Sequence, residues 1–265
     1  MTRIAVVGHS HVGALKLGWD QICGDYPDVE MIFFASTGAA ARGMGLKDMM
    51  FGFHTETPND DEIIFGNSGA RRIDFTTFDH VLFGGRELRE DELADVLSVY
   101  NIDTAPQADL ERRMSLSAFD AILEAFCQTR IKHESWHNWE TPRLWIHPQP
   151  YPDERCLESG DLKFLSWCVL CADTERLLWM RTRYWQKLTA AFERTGATLL
   201  PHPAETLTDV GLTDPAYSLG ARRLLDSSIH AQEEYNHMNA EYGVLVMKHF
   251  LSRCLAPGRD LKTGT

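Results

Sequence analysis

Short apolar runs separated by amphipathic stretches organise this chain. Ile4-Ala5-Val6-Val7 is continuously apolar and is stopped by Gly8, which predicts a strand buried on both faces of a parallel sheet. A helix is expected over 12–19 and a second strand over 29–34, while the small and glycine-rich segment 35–45 reads as a loop or a helix start. Two β-prone runs, Ile63-Ile64-Phe65 and Arg72-Ile73-Asp74-Phe75, flank the turn residues Gly66-Asn67-Ser68-Gly69 and predict a hairpin beside the main sheet. Residues 80–85 predict another buried strand, 86–140 are helical in character, and 143–147 form a strand ended by Pro148, Pro150 and Pro152. A long helix is expected over 173–194, with Leu177, Tyr184, Leu188 and Ala191 on one stripe. Gly196 closes it, 197–200 make a last strand, and a final helix covers 239–254. Strands alternating with helices predict an α/β fold with a parallel, doubly wound sheet in three layers, as one domain over residues 1–265.

In such a sheet, ligands bind where the loops leave the carboxyl ends of the strands. Ser10 lies in the first of these loops, within Gly8-His9-Ser10-His11, directly before a helix. His237 lies just before the last helix, within Glu234-Tyr235-Asn236-His237-Met238-Asn239. A serine hydroxyl becomes a useful nucleophile when an imidazole takes its proton and a carboxylate orients that imidazole, so Ser10, His237 and Glu234 form a candidate triad. The helix beginning at Val12 is expected to aim N–H groups at a developing oxyanion. The plainer reading makes Ser10 a helix N-cap and His237 a backbone-bonded loop residue.

A net charge of -12 argues against a nucleic-acid partner and against an anionic membrane surface. No apolar run is long enough to span a bilayer. With the first strand beginning almost at Met1, no signal peptide is visible, so a cytoplasmic protein is expected and its six cysteines are expected to be free thiols.

Other motifs compete. His133-Glu134-Ser135-Trp136-His137 has the zinc-protease pattern, but Asn138 and Pro142 interrupt the helix that chelation needs. Cys168-Val169-Leu170-Cys171 lacks the second pair of a zinc site and lies among apolar neighbours. Gly8 and Gly13 lack the lysine of a phosphate loop. Trp136, Trp139 and Trp145 are candidates for stacking on a substrate or for the core.

The residues around Ser10 and His237 resemble the SGNH (GDSL-like) hydrolase family. Gly8-His9-Ser10-His11 is similar to its first motif, Phe33-Phe34-Ala35-Ser36-Thr37-Gly38 to its second, and Glu234-x-x-His237-x-Asn239 to its last; Val81-Leu82-Phe83-Gly84-Gly85-Arg86 falls where its third is expected. His9 and Glu234 replace aspartates, and the third motif lacks its asparagine. The resemblance implies a three-layer α/β/α sandwich with a flavodoxin-like sheet. It implies a serine esterase, with Ser10 as nucleophile, His237 as base and Glu234 as its orienting acid. The oxyanion donors would come from Ser10, Gly38, and Gly85 or Arg86, while His9 and His11 are expected to touch substrate. The expected substrate is a small-molecule ester or an O-acyl carbohydrate, with no metal or organic cofactor. An acyltransferase using the same triad and a degenerate glycan- or partner-binding domain are the alternatives.

Overall fold

A computed structural model describes residues 1–36, 38–55, 64–66, 70–132, 142–223 and 228–256. In chain order the elements are β1 (Thr2–Gly8), α1 (Val12–Ile22), β2 (Val29–Ser36), α2 (Gly38–Ala41), β3 (Met44–Lys47), β4 (Met50–Phe53), β5 (Ile64–Gly66), β6 (Arg72–Asp74), β7 (His80–Arg86) and α3 (Ala94–Val99). There follow β8 (Tyr100–Ile102), β9 (Arg112–Met114), α4 (Leu116–Lys132), β10 (Arg143–Pro148), α5 (Leu165–Cys171), α6 (Thr174–Glu193), β11 (Thr198–Leu199) and α7 (Ala240–Cys254).

The main sheet has the order β11-β10-β7-β1-β2-β5. Every pairing in it is parallel except that of β5, which runs antiparallel along the edge of β2. Numbered among themselves, the parallel strands run 2-1-3-4-5, and the order reverses between β1 and β7. The loop carrying Ser10 leaves β1 at that reversal.

Successive residues of β1 face opposite layers, which is why its apolar run is unbroken. Ala5 and Val7 join the core under α3, α4, α5 and α6, while Ile4 and Val6 join the core under α1 and α7. All four are completely buried. Helices therefore cover both faces of the central sheet.

The layer of α1 and α7 matters most for the site. Val12, Leu15 and Trp19 of α1 pack with Tyr242, Val246 and Phe250 of α7. Where the helices cross, Gly18 meets Gly243: a Cβ on Gly18 would lie 2.2 Å from the Gly243 carbonyl carbon, and one on Gly243 would lie 1.8 Å from the Ala14 oxygen. Two glycines let the backbones touch, and this contact ties the helix after Ser10 to the helix after His237.

The expected hairpin does not form. Ile64–Gly66 pairs with β2, whereas Arg72–Asp74 pairs with β4 in a separate antiparallel sheet of order β3-β4-β6. Its intended turn, 67–69, lies outside the described residues. Aromatic packing explains the partner choice: Phe75, completely buried after β6, stacks on Phe51 of β4 with centroids 5.6 Å apart and meets Phe83 of β7 edge-on at 5.9 Å. The helical reading of 86–140 is also incomplete, because the short parallel pair β8 and β9 separates α3 from α4.

Gly243→Ala is expected to cost roughly 1–3 kcal/mol through overpacking and to lower the urea midpoint. Gly24→Ala, at a position where a Cβ would have nothing within 4 Å, should leave the midpoint in place. Equal midpoints for the two variants would contradict the close helix contact.

Candidate active site

The chain leaves β1 at Gly8 and turns at once into α1. The Val12 N–H donates to the His9 carbonyl at 2.9 Å and the Gly13 N–H to the Ser10 carbonyl at 3.0 Å. The first-turn N–H groups expected to face an oxyanion are therefore engaged in closing the turn. His11 occupies the N-cap position with no side-chain capping bond. The Ser10 hydroxyl is not a cap either; it lies 3.0 Å from Nε2 of His237.

Several bonds hold the His237 loop. Asn239 caps α7 by accepting the Tyr242 N–H at 3.2 Å, and its amide donates to the Ala216 and Leu219 carbonyls at 2.7 and 3.0 Å. The Asn239 N–H donates to the Tyr217 carbonyl at 2.8 Å. Upstream, the Tyr235 carbonyl accepts the Asp153 N–H at 2.7 Å, and the buried Asp153 carboxylate is itself held by Arg155 at 2.6 Å and by the Ser218 hydroxyl. Arg89, in the loop after β7, donates to the Asn236 side-chain oxygen at 3.2 Å. Loops from three strands thus fix the imidazole against the serine.

On the far side of His237, Nδ1 lies 3.5 Å from Oε1 of Glu234. That is a close contact just beyond ordinary hydrogen-bond length, and Nδ1 makes no other bond among the described residues. The same Oε1 accepts the Asn236 N–H at 2.9 Å. The imidazole first, and that N–H next, draw the Glu234 carboxyl down to about 2. Glu234 is therefore ionised across any ordinary pH range.

His237 is also sandwiched between rings. His230 stacks on it at 4.2 Å with planes 9° apart, and His11 lies on the other side at 5.2 Å and 23°. His11 is only 8% exposed, which places it behind His237 rather than open to a substrate. Burial first, then the neighbouring imidazoles, push its pKa well below the ordinary histidine value. Gly85, at φ +80°, presses against it: a Cβ there would lie 2.7 Å from the His11 Cβ.

His9 and Ser10 line a cleft of about 510 Å³, with Arg86 on its wall. Burial lowers the pKa of both His9 and Arg86. Gly38 opens α2 just beyond β2, the neighbour of β1.

His230 escaped the sequence reading. Its spacing from Glu234 and His237 is visible, but within a loop such spacing carries no geometry. Those three residues place potential ligand atoms within 4.8 Å of one another, a His₂-carboxylate donor set of the kind zinc uses. The His230 and His237 rings lie face to face, so both could bind one ion in their planes only after turning, whereas the serine contact is already made.

A second polar group escaped for another reason. The Tyr242 hydroxyl lies 3.2 Å from Nε2 of His147 and 3.0 Å from Nδ1 of His202, joining the ends of β10 and β11 to α7 beneath the site. Only tertiary packing makes these residues neighbours. Trp145 belongs to the core: it donates to His80 at 3.2 Å and packs edge-on against Phe250. Trp136, Trp139 and the 133–137 motif lie outside the described residues. Cys168 and Cys171 are half-buried thiols on α5, and all six cysteines are free; burial first raises the Cys171 thiol to about 11.

No protein-family model and no curated protein matches this chain. Among solved structures, a DUF4886 family protein from Bacteroides uniformis ATCC 8492 aligns over 95% of this chain and 82% of its own, at 8% identity and a TM-score of 0.39.

Burial holds His147 down at about 4, against the ordinary 6.5. Between those values the unfolded chain binds a proton that the folded chain does not, so stability is full above about 6.5 and declines as pH falls toward about 4. His11 and His202, shifted the same way by burial, add to the slope. Glu234 acts only lower, its contribution being lost as pH falls from 4.5 through about 2. Urea midpoints followed from neutral pH to about 4 should fall; a flat profile would contradict the buried neutral imidazoles.

Proposed function

We propose that this protein is a serine esterase of the SGNH (GDSL-like) type. The observation that carries the reading is the 3.0 Å contact between Ser10 Oγ and His237 Nε2, within the distance needed for direct proton transfer. The parallel sheet with a serine at its topological switch supports the same assignment, since that is where such folds place their ligands.

In this mechanism His237 takes the hydroxyl proton as Ser10 attacks the ester carbonyl. The oxyanion forms beside the Ser10 N–H, with Gly38, and Gly85 or Arg86, as the further donors. When the tetrahedral species collapses, the carbon–alkoxide bond breaks and the leaving alcohol departs with the proton from His237. Water then attacks the acyl-enzyme, giving its proton to His237, and Ser10 recovers a proton as the carboxylic acid leaves. The Glu234 carboxylate faces the imidazolium that forms at each stage. His11 and His230, stacked on its two faces, limit its rotation.

Ser10→Ala should abolish turnover of a neutral 4-nitrophenyl ester and labelling by a fluorophosphonate probe. His237→Gln should lower kcat by roughly 1,000-fold or more. Glu234→Gln should cost less, on the order of 10- to 1,000-fold, because the contact to Nδ1 is loose in the resting enzyme. Turnover that survives Ser10→Ala would refute the assignment.

A further inference from the structure

The cleft beside Ser10 is charged in the opposite sense to the molecule. The chain carries a net charge of -12, yet among the described residues the cleft is lined by Arg42, Arg86 and Arg130 with one carboxylate, Glu87, while Glu92 pairs with Arg130 from outside the lining. These arginines come from three separate elements: Arg42 directly follows α2, Arg86 ends β7, and Arg130 lies in the last turn of α4. The topology, not a basic run in the sequence, gathers them.

Their settings differ. Arg42 is exposed and Arg86 is half-buried. Arg130 is 17% exposed, is held by Glu92 at 2.7 Å, and lies over the Phe126 ring at 4.7 Å. Two of the three guanidiniums are thus partly desolvated, where a charge-assisted hydrogen bond is stronger than in open water. Gln149 also lines the cleft, and its backbone N–H donates to the Arg86 carbonyl at 2.6 Å, fixing β7 against the end of β10.

Direction follows from the chemistry of the triad. The leaving alcohol must lie beside His237, which gives it a proton. The cleft wall includes His9 and Ser10, whereas His237 and Glu234 are not among its lining residues. The arginines therefore flank the acyl side of the scissile bond.

We propose that the cleft receives an acyl group ending in a carboxylate, so that the substrates are half-esters of short dicarboxylic acids. The inference rests on the serine-esterase reading for the orientation of the substrate. A planar carboxylate matches the fork of a guanidinium, and a volume of about 510 Å³ accommodates a short diacid chain. The acyl-enzyme holds its free carboxylate among the arginines while the neutral alcohol leaves past His237.

Two measurements test this together. The first is kcat/KM for 4-nitrophenyl hemisuccinate against 4-nitrophenyl pentanoate, corrected for spontaneous hydrolysis. The second is calorimetric titration of the Ser10→Ala protein, which cannot be acylated, with monomethyl succinate and with dimethyl succinate. The anionic member of each pair should be favoured by about tenfold or more, as one charge-assisted hydrogen bond implies. Arg42→Gln should remove most of that preference by lowering turnover of the hemisuccinate, and Arg130→Gln should act the same way.

Equal binding of the two succinates, binding of neither, or a preference that survives both substitutions would overturn the proposal even where neutral esters are turned over. If wild-type protein neither hydrolyses nor labels, but Ser10→Ala binds monomethyl succinate through Arg42, the anion cleft stands and the esterase reading falls.

Discussion

Everything at the site depends on the contact between α1 and α7. Each helix is preceded by one half of the Ser10–His237 pair, and the halves come from opposite ends of the chain. The Gly18–Gly243 crossing brings the two backbones together without intervening side chains. The apolar residues around it, Leu15 and Trp19 with Val246 and Phe250, supply the burial that keeps the crossing closed. A hydrogen bond of 3.0 Å tolerates little slack, so the precision of the site is inherited from packing one layer below.

Desolvation is the second organising effect. Imidazoles cluster around the carboxyl ends of β1 and β10, and most are shifted toward the neutral form because burial penalises the charge. His237 is flanked on one face by the buried His11 and on the other by the partly exposed His230, while its edge faces an ionised Glu234. Rings on both faces and a negative charge at the edge form a setting in which an imidazolium has a carboxylate beside its Nδ1.

Charge distribution is the third. The chain as a whole is acidic, yet three guanidiniums line the cleft, from the residue after α2, from β7 and from α4. Net charge alone would have argued for neutral or cationic ligands. Local field, shaped by partly buried guanidiniums, decides what a cleft attracts.

Much of the fold was legible in the residues. The unbroken run Ile4–Val7 specified a strand buried on both faces, and Asp173 and Asn239 marked helix starts that the structure places at Thr174 and Ala240. Local chemistry also placed Ser10, Glu234 and His237 in loops at one edge of the sheet. It did not reveal that Ile73 and Phe75 would join Phe51 rather than a neighbouring strand, that His230 would stack on His237, or that His147, His202 and Tyr242 would meet. Nor did it gather Arg42, Arg86 and Arg130. Hydrophobic period and capping are short-range properties that each segment carries in its own residues; which buried aromatic, imidazole or guanidinium becomes a neighbour across the chain is fixed only when the layers close and space is shared.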